Sequence, residues 1–169
     1  MSSEIAADRS EGRGELCDEI KKRHPFEAPE QEVFLNIART ADVLEAEFGR
    51  MFKQRGISHA QYNVLRILRG AGTELPCLEV AGRMISHLPD ITRLVDRLES
   101  SGLVERCRTQ EDRRVVLIRI TEQGTKLVSE LDCPVLELHR RQLGHLSESE
   151  MHELNRLLVK ARRPKDSAP

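Results

Sequence analysis

One stretch limits the folds open to this chain more than any other. Between Met84 and Ile120 it reads MISHLPDITRLVDRLESSGLVERCRTQEDRRVVLIRI, a helix-period pattern followed without a gap by two strand-period runs. Ile91, Leu94, Val95 and Leu98 fall at offsets 0, 3, 4 and 7, the spacing that aligns one buried stripe on an α-helix. Asp90, Thr92, Arg93, Asp96 and Arg97 are left for the opposite face. Ser100-Ser101-Gly102 stops the helix, because glycine accepts a left-handed C-terminal position without a Cβ clash. Leu103 to Cys107 and Arg114 to Ile120 read as strands, joined by the polar tip Arg108 to Arg113. Such a helix can enter a major groove while the hairpin lies on the adjoining backbone or minor groove.

That order is the local plan of a winged helix-turn-helix. The runs PDITRLVDRLESSGLVER and EDRRVVLIRITEQG resemble the recognition helix and wing of the MarR family of bacterial transcriptional regulators, and the similarity extends over roughly residues 30–162. The resemblance implies a mainly α fold with a small β-hairpin wing and with N- and C-terminal dimerisation helices. On that plan residues 15–57 are an N-terminal arm and dimerisation helix, 58–120 the winged helix-turn-helix lobe, and 121–163 the C-terminal dimerisation helices. Polar composition marks 1–14 and 164–169 as disordered tails.

Charge narrows how such a lobe can work. Twenty-seven basic against 28 acidic side chains leave a net charge of -1, so indiscriminate nucleic-acid binding has no global support. Six acids from Asp90 to Asp112 offset six arginines from Arg93 to Arg114, which calls for positioned contacts in place of a diffuse basic patch. No apolar run reaches the roughly 18 to 20 residues of a spanning helix, and the N-terminus lacks the apolar core of a signal peptide. A cytoplasmic protein without a membrane partner is the expectation. Cys17, Cys77, Cys107 and Cys133 form no CxxC, and the six histidines show no metal-ligand spacing, so neither metal nor other cofactor is expected. No P-loop, dinucleotide fingerprint, HExxH or Ser-His-Asp motif points to an enzyme.

The remaining helices announce themselves by their caps. A short helix through Glu15 to Ile20 precedes His24-Pro25-Phe26, where Phe26 is a packing anchor. Pro29 suits the first turn of a long helix running from Glu30 to about Arg55, whose apolar residues spread too widely for one face and suggest burial against two surfaces. Ser58 and Gln61 have the capping-box form, as do Ser147 and Glu150. Pro76 to Arg83 is the first helix of the helix-turn-helix, Thr121 caps the helix after the wing, Gly124 permits close packing, and Pro134 marks a kink or break.

For DNA contact the residues of choice are Thr92, Arg93 and Arg97, the two arginines lying one turn apart. Pro89 can occupy the first helical turn, and Asp90 either orients Arg93 and His87 or accepts from a cytosine amino group. At the wing, Arg113 and Arg114 can reach the minor groove, with Asp112 as brace; Arg106 and Arg108 are secondary phosphate candidates. The resemblance implies that Asp112 and Arg114 fix the wing while Arg113 lies closer to DNA. Many relatives carry Ser or Thr near Pro89-Asp90, so their base preference does not carry over.

The expected activity is that of a homodimeric regulator, a repressor of an inverted-repeat operator in double-stranded DNA. The resemblance adds release by a small aromatic or phenolic effector, for which Phe34, Ile37, His59 and Tyr62 are lining candidates. Two alternatives stay open: a winged-helix protein-interaction module that binds no DNA, and a cysteine-based redox-responsive regulator. For the latter, Cys17 lies in the arm and Cys77 near a helix N-terminus that would lower its pKa.

Overall fold

The computed structural model of the chain describes residues 15–86, 90–108 and 116–163. Its contacts fall into two units, 1–50 and 51–169.

In the first unit, helix α1 (Glu15–Glu19) is followed by the long helix α2 (Pro29–Gln54), which runs on into the second unit. Pro29 takes the first helical position, where a missing amide donor leaves no bond unmade. Arg39 donates to Glu19 at 2.6 Å, tying the two helices together. Phe26 is half-buried under the Lys22 ammonium, which stands 5.2 Å from the ring centroid. Val33, Phe34, Leu35, Ile37 and Val43 are exposed on α2.

The second unit contains α3 (His59–Ala71), β1 (Leu75–Pro76), α4 (Cys77–Gly82), α5 (Ile91–Ser100), β2 (Val104–Arg108), β3 (Val116–Ile120), α6 (Glu122–Leu143) and α7 (Glu148–Ala161). Both capping boxes form: Ser58 accepts from the amide of Gln61, and Ser147 from that of Glu150, with each N3 side chain reaching back to the cap amide. Gly72 closes α3 in the left-handed conformation, φ 68°, its N–H donating to the Leu68 carbonyl. Helix α6 starts at Thr121, which accepts from the Gly124 amide, and continues through Pro134 without the break its sequence suggested.

The three strands form an antiparallel sheet in the order β1-β3-β2. Leu75 and Arg106 both pair with Ile118, and Val104 pairs with Ile120. The side chains of Phe52, Leu65, Leu68, Val80, Val95, Leu98, Ile118, Val128 and Leu131 are buried and form the core of this unit. Each contributes roughly 1.5–3 kcal/mol relative to exposure. Gly124 is what lets α6 approach the sheet: a Cβ there would overlap the Leu103 carbonyl oxygen. Helix α7 buries none of its residues within the chain, and Leu154, Leu157 and Val159 stay exposed.

Candidate nucleic-acid interface

Helix α5 turns its apolar stripe inward. Leu94, Val95 and Leu98 are buried, so the helical period carries Thr92, Arg93, Asp96 and Arg97 to the exposed side. Its N-cap is Asp90, whose Oδ1 accepts from the Arg93 amide at 3.0 Å. The second oxygen, Oδ2, stands 3.0 Å from Arg93 Nε as an exposed ion pair, and the Arg93 side chain remains 80% exposed. Asp90 thus caps the backbone of Arg93 and pairs with its charge. Helix α5 begins at Ile91, and Pro89 and His87 lie outside the described residues.

The hairpin is fastened to this helix by Arg106. Its guanidinium donates to Asp96 through Nη2 and to Glu99 through Nη1, and its backbone N–H donates to Glu99 Oε1 at 3.3 Å. The Asp96 hydrogen bond, with that of Glu99, holds the Arg106 pKa above its ordinary value. Arg106, a secondary phosphate candidate in the sequence, here donates to two acids of the neighbouring helix. Across the hairpin, Arg119 donates to its register partner Glu105 at 2.8 Å. The backbone of Arg108 ends β2, whereas Asp112, Arg113 and Arg114 fall outside the described residues.

Behind the lobe, helices α3 and α6 are joined by Arg69, which grips Asp132 with two hydrogen bonds at 2.8 and 2.6 Å. Phe52 stacks on His59 and Tyr62 with ring centroids 5.1 and 4.4 Å apart. Tyr62 is buried, and that burial raises its hydroxyl pKa. His59 and Tyr62 thus share one stack in the second unit, whereas Phe34 and Ile37 belong to the first unit and are exposed. A separate cleft of about 300 Å³ opens between the start of α6 and the α5–β2 turn, with Arg55, Ser101, Gln123 and Lys126 on its walls.

Cys17 is fully buried. Cys77 opens α4, but burial pushes its thiol pKa up, the reverse of the lowering expected from its place at a helix N-terminus. Desolvation of the thiolate outweighs what one six-residue helix and the nearby Arg106 supply, and Asp96 adds to the rise. Among the described residues no group of three His, Cys, Asp or Glu side chains is placed to hold a metal ion. No helix among them is long and apolar enough to cross a membrane.

Residues 57–116 match the model of the MarR family. The HTH-type transcriptional repressor IacR of Pseudomonas putida is 31% identical over 125 residues, covering 74% of this chain and 74% of that protein. A MarR transcription factor from Planctomyces limnophilus, known as a crystal structure, is 44% identical with a TM-score of 0.62, over 79% of this chain and 98% of its own. A mutant MarR from E.coli, solved in complex with operator DNA, is 26% identical with a TM-score of 0.69, over 88% of this chain and 99% of its own.

Proposed function

The chain belongs to the MarR family of transcriptional regulators, and on that premise we propose that it represses transcription from an inverted-repeat operator and lets go when a small aromatic or phenolic ligand binds. Membership makes it a homodimeric DNA-binding regulator and not an enzyme. In the proposed complex the two α5 helices of a dimer enter successive major grooves, about 34 Å apart. Thr92, Arg93 and Arg97 meet base edges and phosphates there. Arg108, Arg113 and Arg114 take the outer minor groove and backbone, with Asp112 bracing the tip. The observation that carries this reading is the joint exposure of Thr92, Arg93 and Arg97 on a helix whose other face is buried. The relative solved with operator DNA supports it.

Release follows from geometry. A dimer grips two grooves only at one separation of its α5 helices, so a ligand that favours another separation lowers affinity by its differential binding to the two states. Within the second unit, His59 and Tyr62 are the residues proposed to meet that ligand.

Selection of bound fragments from a genomic DNA library, with and without candidate phenolic metabolites, tests the reading. The expected result is an inverted repeat bound with steep salt dependence. Binding is lost on joint Arg93→Ala and Arg97→Ala substitution while the dimer persists. Failure to enrich any fragment refutes it and leaves the winged fold as a protein-interaction module.

A further inference from the structure

We propose that the cleft at the start of α6 is a binding site for a small monocarboxylate with a compact apolar body, distinct from the stack of His59 and Tyr62. Its volume is about 300 Å³, at the lower end of the range for small-molecule sites. Ile57, Leu103 and Leu127 supply its apolar lining; the first two are buried and the third is half-buried. Arg55, Lys126 and Glu130 supply its charge. All of these residues belong to the second unit, and binding there is independent of whether α5 reads DNA.

Both walls are held by hydrogen bonds to backbone carbonyls. On one side the α5–β2 turn is fastened to the cap of α6: the Thr121 hydroxyl donates to the Gly102 carbonyl at 2.8 Å, and the Thr121 amide to the Leu103 carbonyl at 3.1 Å. On the other, the link from α2 to α3 turns at Gly56, φ 72°, and the Ile57 amide donates back to the Phe52 carbonyl at 3.1 Å. A cleft with such walls is formed before a ligand arrives, so binding does not have to order its backbone.

The charges decide the polar end of the ligand. Arg55 Nη1 donates to Glu130 Oε2 at 3.1 Å, so the one acid of the lining is already balanced. Lys126 is exposed and has no ion-pair partner among the described residues. Two cations against one carboxylate leave the lining with a net positive charge, which favours an anion over an amine or a neutral alcohol. A phosphate would have to give up more hydration to reach three apolar side chains. A single carboxylate on a ring-sized hydrocarbon satisfies both features, with its oxygens at Lys126 and Arg55 and its hydrocarbon against Ile57, Leu103 and Leu127.

The test is titration of the isotope-labelled full-length protein with cyclohexanecarboxylate at constant ionic strength, followed by two-dimensional NMR, with calorimetry for the affinity. Saturable binding is expected, with a dissociation constant on the order of 1 mM or tighter. The shifted amides should centre on Ile57, Leu103 and Leu127. Cyclohexanol and acetate, which keep only the body or only the charge, should bind several-fold more weakly. Lys126→Glu changes an exposed position, so it should keep the wild-type melting temperature. It should weaken cyclohexanecarboxylate by roughly fivefold or more, because an exposed ion pair is lost and a repulsion takes its place. Absence of saturable shifts at the cleft overturns the site. Equal affinity in wild type and Lys126→Glu does so too, as does cyclohexanol binding as tightly as the acid. Shifts centred on His59 and Tyr62 also overturn it, but leave the effector reading of that stack standing.

Discussion

Arg106 on β2 and Glu99 on α5 meet at two points, guanidinium to carboxylate and backbone N–H to carboxylate, with Asp96 accepting the second guanidinium arm. One arginine therefore sets the hairpin against the helix. Arg106→Ala leaves two carboxylates one turn apart without their shared cation, and the expected cost in a urea titration is about 1 kcal/mol, since all three groups keep some solvent. Arg106→Lys restores only part of it, because a single ammonium cannot present a fork to both acids. Operator affinity is expected to fall in either variant, and with the Arg106 guanidinium held by Asp96 and Glu99 the salt slope is expected to stay that of the wild type. A slope smaller by about one unit would identify Arg106 as a phosphate ligand after all.

Gly124 permits a backbone approach that no other residue can match. A Cβ there would overlap the Leu103 carbonyl, and that carbonyl is already held by the Thr121 amide at 3.1 Å. Gly124→Ala is expected to lower the unfolding free energy by about 1–3 kcal/mol through overpacking against backbone. Gly49 and Gly70 lie within α2 and α3 and face open space. Alanine at either should stabilise the protein by up to about 1 kcal/mol. Denaturant midpoints for the three variants check the contrast, and equal effects at Gly49 and Gly124 would refute it.

Local chemistry explains which parts of this fold were legible in the sequence. Ser58, Thr121 and Ser147 announced their helices because a cap depends on residues three positions apart. The stripe through Ile91, Leu94, Val95 and Leu98 announced α5 in the same way. Strand β1 escaped notice, since a two-residue edge strand ending in proline has no alternation to detect, and its pairing with Leu117 and Ile118 is set by tertiary contact. The Arg106 clasp was also hidden. Its partners lie seven and ten residues away across a turn, and only the packing of hairpin on helix brings them together. Pro134 does not break its helix: a proline removes one helical hydrogen bond, and burial of Leu131, Val135 and Leu138 on the same helix outweighs that loss.

Cys77 should behave as a sluggish thiol. Burial raises its pKa, so at neutral pH less of it is thiolate than in a free cysteine, and the thiolate is the reactive form. Iodoacetamide labelling followed by peptide mass spectrometry is expected to modify the exposed Cys133 well before Cys77 near pH 7. The Cys77 rate should climb only above the ordinary thiol range, about 8.5. Preferential labelling of Cys77 at neutral pH would overturn this and favour the redox-responsive regulator.

The Arg69 clamp gives the link between α3 and α6 a defined pH dependence. Hydrogen bonding to Arg69 holds the Asp132 carboxyl below its usual pKa. A carboxyl whose folded pKa is depressed stabilises the folded state above its unfolded value, about 3.9, and loses that contribution as pH falls through the folded value. Asp132→Asn should therefore lower the melting temperature near neutral pH and converge with the wild type in acid. Because the Asp132 side chain is about half exposed, salt should shrink the neutral-pH difference. Melting curves of both proteins from about pH 2 to 7, at low and high salt, decide the matter. A gap between wild type and variant that is the same at every pH would mean that the substitution costs packing, and that the ionised clamp contributes nothing.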